Sequence, residues 1–177
     1  GILAAESWYP GYSSRIDYVS DLGIGPTAIF FDGSDILLGI CMVLGAFFLY
    51  DHLQKKPLPI LITVSGIGAI GVGFFSIDFQ PAHSIFTLLA ITFLALAAIV
   101  SYLYAEKPVS IFGFALGALS LVLMIVFFPY LGLPTGSTET FLGMAKGSLE
   151  RWVIYPIVFW IIGFGAYLNG LATREST

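Results

Sequence analysis

Apolar residues gather into five long runs, at residues 34–50, 58–77, 84–104, 109–128 and 152–171, and nearly every charge lies in the gaps between them. Apart from Asp35 at the edge of the first run, no Asp, Glu, Lys or Arg falls within a run. A helix rises ~1.5 Å per residue, so about 20 apolar residues cross the ~30 Å hydrocarbon core of a bilayer. The pattern predicts an all-α fold, a polytopic transmembrane helical bundle of five full spans.

Composition narrows the reading. The 177 residues are 58% hydrophobic and 10% charged, against ~25% charged in an ordinary soluble domain. Five spans and short loops leave room for one domain, with residues 1–33 forming an outer polar loop and 34–177 the five-helix bundle. A net charge of −4 argues against a nucleic-acid partner, which would want a basic stripe. The single cysteine, Cys41, lies inside the first run and reads as a packing residue.

The first residues, Gly1-Ile2-Leu3-Ala4-Ala5, are apolar, and Glu6 then Trp8-Tyr9-Pro10-Gly11 read as a membrane exit. Residues 1–8 are expected to be the remnant of an N-terminal sixth helix whose beginning precedes this sequence. Alternation of the spans places Lys55, Lys56, Lys107 and Arg174 at one end of the bundle and Arg15, Lys146 and Arg151 at the other. The basic excess, with Lys55-Lys56 abutting a span, predicts that the first end is cytoplasmic. Most acidic residues, from Glu6 and Asp17 to Glu139 and Glu150, then fall on the non-cytoplasmic side of a cell membrane.

Small residues at four-residue intervals, Gly113/Gly117 and Ser65/Ala69/Gly73, let helix backbones approach closely and favour packing within the bundle. A homo-oligomer or a membrane partner subunit stays open beside it. Aromatic belts (Phe47, Phe48, Tyr50, Tyr102 and Tyr104; Phe74, Phe75, Phe79, Tyr130, Trp152 and Tyr155) mark the two interfaces with membrane lipids. No ionisable residue stands at membrane depth, which disfavours an ion or proton pathway. No haem is expected, because the two histidines, His52 and His83, fall at opposite ends.

The chemistry therefore gathers at the outer rim, in three segments. Tyr12-Ser13-Ser14-Arg15-Ile16-Asp17-Tyr18-Val19-Ser20-Asp21-Leu22-Gly23 is dense in hydroxyls and carboxylates; Phe75-Ser76-Ile77-Asp78 precedes His83; and Gly147-Ser148-Leu149-Glu150-Arg151-Trp152 opens the last run, with Tyr155 and Pro156 a turn further in. In this order these segments resemble an uncharacterised prokaryotic multi-pass membrane family, domain of unknown function 998. The resemblance covers essentially the whole chain and implies a further span before the first segment. It marks Asp17, Ser20, Asp21, Asp78, His83, Glu150 and Arg151 as motif positions. Family members often read Phe-Pro-x-Asp where this chain has Phe75-Ser76-Ile77-Asp78, and the family brings no activity with it.

Each position also has a plain structural role. Asp32 and Ser34 are natural N-caps for the first span and Ser148 for the last, and Asp35 favours a first helical turn. Arg151 can pair with a carboxylate. As a site, the cluster fits two chemistries. In a lipid-surface hydrolase or transferase, His83 would be the general base oriented by Asp78. Ser20 or a water would then be the nucleophile, and Arg151 would hold an oxyanion or a lipid phosphate. Asp17, Asp21, Glu150 and Tyr155 would complete the binding surface. Alternatively Asp21, Asp78, His83 and Glu150 would hold a divalent metal. The competing class is a non-enzymatic bundle that binds a lipid or a partner subunit. The geometric expectation common to the site readings is that Asp78, His83, Glu150 and Arg151 meet around one pocket beneath the 17–23 loop.

Overall fold

The computed structural model describes residues 1–53, 56–134 and 137–175; Lys55 lies outside them. Among the described residues there are six α-helices: α1 (Ile2–Trp8), α2 (Ala28–His52), α3 (Pro57–Phe74), α4 (Ala82–Val100), α5 (Val109–Phe127) and α6 (Lys146–Glu175). A small antiparallel hairpin, β1 (Thr140–Phe141) and β2 (Met144–Ala145), precedes α6. Helices α2 to α6 are long and apolar enough to cross a membrane, as the five runs predict. Helix α3 packs between α2 and α4, α5 lies between α4 and α6, and α6 returns to touch α4.

Helix ends differ from the sequence expectation where polar residues were read as caps. Helix α2 starts at Ala28, behind a short 3-10 turn over Gly25–Thr27 that carries Pro26 at its start. Proline's fixed φ suits a first turn, so the helix begins there and Asp32, Ser34 and Asp35 ride inside it. Ser34 Oγ donates to the Phe31 carbonyl within the helix rather than capping it. The boundary expected at residues 33/34 therefore falls within α2. Ser148 likewise lies inside α6, which opens at Lys146 and continues through Pro156.

Helix contacts are made through small residues. A Cβ on Gly68 would lie 2.4 Å from the Ala90 backbone nitrogen, and one on Gly117 2.5 Å from the Ala95 carbonyl oxygen. Gly113 faces Ser101 and Trp160, so the Gly113/Gly117 pair serves contacts inside the bundle. Ser65 Oγ donates to the Ala90 carbonyl at 2.7 Å, a polar link of the kind that joins helices in lipid. The main apolar core joins Met42 and Ala46 of α2, Leu58 and Ile62 of α3, Leu94, Ala95, Ala97 and Ala98 of α4, and Ile157, Trp160 and Phe164 of α6. Outward faces are as apolar as the core: Leu37, Phe47, Ile67, Phe112, Ile125 and Phe159 are largely exposed. A surface of this kind calls for lipid rather than water.

At the end of the bundle that carries the motif segments, two further apolar clusters seat the loops. Val19 and Leu22 pack with Ala5 and Phe31, while Tyr18 packs with Phe127, Leu149 and Val153. Helix α1 lies against the start of α2, with Trp8 edge-on to Phe30 at 5.3 Å between ring centres.

Gly68→Ala should test the close packing. Its methyl group meets backbone that cannot swing aside, so the variant is expected to lose roughly 1–3 kcal/mol, the range for overpacking, in unfolding from detergent micelles. Gly45→Ala, where nothing lies within 4 Å, should retain full stability; equal losses in both would reject the packing account.

Candidate functional site

The first turn of α6 is the centre of the motif end. A helix start leaves backbone N–H groups without intrahelical partners, and here the 12–23 loop supplies carbonyls. Ser148 N–H donates to the Arg15 carbonyl at 3.1 Å. Arg151 Nη1 donates to the carbonyls of Ser14 at 2.8 Å and Gly147 at 2.9 Å, with a longer contact to Asp17. Its Nη2 donates to the Tyr12 hydroxyl at 2.6 Å and pairs with the Glu6 carboxylate of α1. Gly147 is in contact with the loop itself: a Cβ there would fall 2.1 Å from the Asp17 carbonyl oxygen.

The loop is shaped to present those carbonyls. Asp17 Oδ2 accepts from Ser13 N–H at 2.8 Å, while Asp17 N–H donates back to the Ser13 carbonyl at 2.9 Å. Asp21 Oδ2 accepts from Tyr18 N–H at 2.8 Å, and the Glu150 carboxylate accepts from Val19 N–H and, at 3.4 Å, from the Ser20 hydroxyl. The Tyr12 hydroxyl donates a hydrogen bond to the Tyr18 carbonyl at 2.8 Å. Burial pushes the Tyr12 phenol above its ordinary range despite the lowering effect of Arg151, and pushes Tyr18 up to about 12. Burial also raises Asp21, against the lowering effects of its Tyr18 hydrogen bond and the nearby Lys146.

Lys146, expected only as an outer charge, is wholly buried. Its ammonium donates to the carbonyls of Leu133 and Pro134 at 3.2 and 2.9 Å and sits 4.0 Å from the centre of the Tyr18 ring. The Tyr18 hydroxyl in turn donates to the Tyr130 carbonyl and accepts from Leu133 N–H at 3.1 Å. Sequence inspection passes over this lysine because it is isolated, although its position four residues before Glu150 places both on one helix face.

Two concavities flank α6. A cavity of about 570 Å³ is bounded by α4, α5, α6 and the loops. Ser20, Asp21, Gln80, His83 and Glu150 supply its polar rim, and Leu88, Ile91, Met124, Phe127 and Val153 its apolar wall. A groove of about 460 Å³ on the other flank is lined by Arg15, Arg151, Trp152, Tyr155 and Phe159 with Leu116 and Leu119. Ser20, Asp21, His83 and Glu150 are thus brought together, whereas Arg151 and Tyr155 belong to the groove. The expected single pocket is divided.

His83 is also held differently from the expectation. Its Nδ1 lies 2.8 Å from the Phe75 carbonyl. A carbonyl only accepts, so Nδ1 carries the proton and Nε2 is the acceptor of the neutral ring. Asp78 is exposed and does not line the cavity, so the backbone of the α3–α4 turn, rather than Asp78, orients the imidazole. Among the described residues no three His, Cys, Asp or Glu side chains are grouped to hold a metal ion; Asp21, Asp78, His83 and Glu150 do not form a ligand set.

These pairings account for the motif segments: the first and third bind one another, and the second closes on itself through His83 and Phe75. Residues 1–167 match the profile of a protein family of unknown function, DUF998. The chain belongs to that family. The match spans α1 to most of α6 and so includes every residue of the loop network. Comparisons with curated proteins and with solved structures gave no match. What the family segments do in this chain must therefore be read from their geometry.

Removing Arg151 should test the network. Arg151→Ala leaves the half-buried Glu6 without its cation and the Ser14 and Gly147 carbonyls without their donor, and loss of hydrogen bonds from a charged group costs about 1.5–3 kcal/mol. Arg151→Lys should recover only part of this, because one ammonium cannot replace the planar fork. Unfolding in micelles measures the loss, and limited proteolysis should show cleavage in residues 12–23 of the alanine variant. An alanine variant as stable and protease-resistant as the parent would contradict the assignment.

Proposed function

We propose that the protein binds a lipid or lipid-like amphiphile in the cavity between α4, α5 and α6. The observation that carries this reading is the division of the cavity into an apolar wall and a polar rim. The wall is built from Leu88, Ile91 and Met124 of two membrane-crossing helices, and the rim from Ser20, Asp21, His83 and Glu150 at their ends. An acyl chain would lie on the first and a headgroup among the second. Its volume falls within the ~300–1,000 Å³ typical of small-molecule sites, and Leu88 and Phe128 at its edge are exposed on the bundle surface.

Binding fits the rim better than hydrolysis or group transfer. The Ser20 hydroxyl is turned to Glu150 and His83 to the Phe75 carbonyl, so no nucleophile–base hydrogen bond is formed. Arg151 is occupied with the loop carbonyls, Tyr12 and Glu6 and lies on the groove side, which removes it as an oxyanion or phosphate holder for this cavity.

Leu88→Trp should fill the mouth of the cavity from a lipid-facing position that tolerates bulk. Within a panel of photoactivatable amphiphiles with cationic, neutral and anionic heads, added to the protein in nanodiscs, at least one should label α4 and α5 peptides in the parent and fail to label them in Leu88→Trp, with thermal stability retained. Undiminished labelling would reject the cavity as the site.

The same reading sets the cavity at the non-cytoplasmic face of the cell membrane, since Lys56, Lys107 and Arg174 lie at the opposite end. In a Cys41→Ala background, a membrane-impermeant thiol reagent applied to intact cells should modify Glu139→Cys and spare Lys107→Cys. The opposite pattern would reverse the orientation.

A further inference from the structure

We propose that the cavity selects an amphiphile whose head bears a positively charged amine; this rests on the lipid-cavity reading and adds the class of headgroup. The inference comes from a count of donors and acceptors at the rim. Apart from the Thr87 hydroxyl and the second N–H of Gln80, the side-chain donors are committed: Ser20 Oγ to Glu150, Ser84 Oγ to Gln80 Oε1 at 2.6 Å, and one N–H of Gln80 Nε2 to the Ile77 carbonyl at 3.1 Å. The backbone N–H groups of Tyr18 and Val19 are likewise taken by Asp21 and Glu150.

Acceptors are left over. His83 is only 5% exposed and lines the cavity. With Nδ1 donating to Phe75, its Nε2 has no hydrogen-bond partner among the described residues. Asp21 uses Oδ2 for Tyr18 and keeps Oδ1, and the Glu150 oxygens retain lone pairs beyond the contacts to Val19 and Ser20. Thr87 Oγ1, on the same lining, is buried without a partner and can serve as donor or acceptor.

Charge points the same way. The two cations nearest the rim do not line the cavity. Lys146 is held by the Leu133 and Pro134 carbonyls and the Tyr18 ring, and Arg151 by the loop and Glu6. An ammonium brings three donors and no acceptor, which complements an imidazole nitrogen and two carboxyl groups. A phosphate head would bring only acceptors and like charge to a site whose apolar walls sharpen the field.

The full chain in phosphatidylcholine nanodiscs would be labelled with a diazirine-bearing dodecylammonium probe, with competition by dodecylammonium, dodecanol, dodecyl phosphate and ethylammonium. The expected result is labelling of α4 and α5 peptides around Leu88 and Met124. Dodecylammonium should compete about tenfold or more better than dodecanol or dodecyl phosphate, as befits one charge-assisted hydrogen bond. Ethylammonium, the same head without a chain, should not compete. Asp21→Asn keeps an acceptor for Tyr18 N–H and should lower affinity for the probe by about tenfold while leaving the protein folded. Should that variant not fold, His83→Phe provides the same test through the lost Nε2 acceptor.

Equal competition by dodecanol or dodecyl phosphate would overturn the amine assignment, while labelling that Leu88→Trp still abolishes would leave the lipid cavity intact. Full competition by ethylammonium would overturn the amphiphile in favour of a soluble amine. Labelling of α4 and α5 that survives Leu88→Trp would overturn both readings.

Discussion

A buried guanidinium is the constraint on which the motif end depends. Arg151 cannot shed its charge, so at the membrane boundary it must be surrounded by acceptors, and acceptors must come from somewhere other than lipid. The protein brings them from three directions: the Glu6 carboxylate on α1, the Ser14 carbonyl in the loop and the Gly147 carbonyl on α6 itself. Satisfying one cation thus fixes the path of residues 12–17 and the seat of α1. Lys146 does the same for the 130–134 segment through Leu133 and Pro134. Between them, two basic side chains in the first two turns of α6 gather the polypeptide that caps the bundle.

That arrangement keeps both cations off the lining of the cavity beside α6. Because the Lys146 ammonium and both terminal nitrogens of Arg151 are engaged by the loops and Glu6, the rim of the cavity is left with carboxyl groups and an imidazole nitrogen rather than with a balanced mixture of signs. The apolar wall needs no comparable device, since α4 and α5 present Leu88 and Met124 as ordinary helix faces. The site is therefore a membrane-helix surface below and a hydrogen-bonded loop above, and the amphiphilic character of the proposed ligand follows from that junction.

Much of the bundle was legible in the sequence because helix length and the exclusion of charge are set by the bilayer itself. The five spans and the inward role of Gly113 and Gly117 are read from local spacing alone. Membership in DUF998 was legible from the three polar segments, all of which lie within the residues that the family profile matches. The helix starts were less so: Asp32 and Ser34 are good caps by type, yet the Gly25-Pro26 turn begins α2 first, and a cap preference is too weak to decide between nearby starts. The candidate site was half visible. Polar residues could be assigned to one end of the bundle, but whether Glu150 and Arg151 share a pocket depends on helix rotation, which apolar runs exposed on most sides leave unspecified. The partner of His83 is hidden in the sequence: Asp78 is the neighbouring side chain able to orient it, whereas a backbone carbonyl such as that of Phe75 carries no residue signature.

The contact between Gly147 and the Asp17 carbonyl has a consequence for how this segment can vary over evolutionary time. Gly147 fixes where α6 touches the loop, and Arg151, four residues on, returns to the Gly147 carbonyl. One residue inserted between Gly147 and Glu150 would turn the helix beyond it by about 100°, putting Glu150 where Arg151 now emerges and carrying Arg151 away from the loop. The spacing from Gly147 to Arg151 is thereby closed to insertions and deletions even where the residues between tolerate replacement. Length, more than composition, is what this stretch of chain has to conserve.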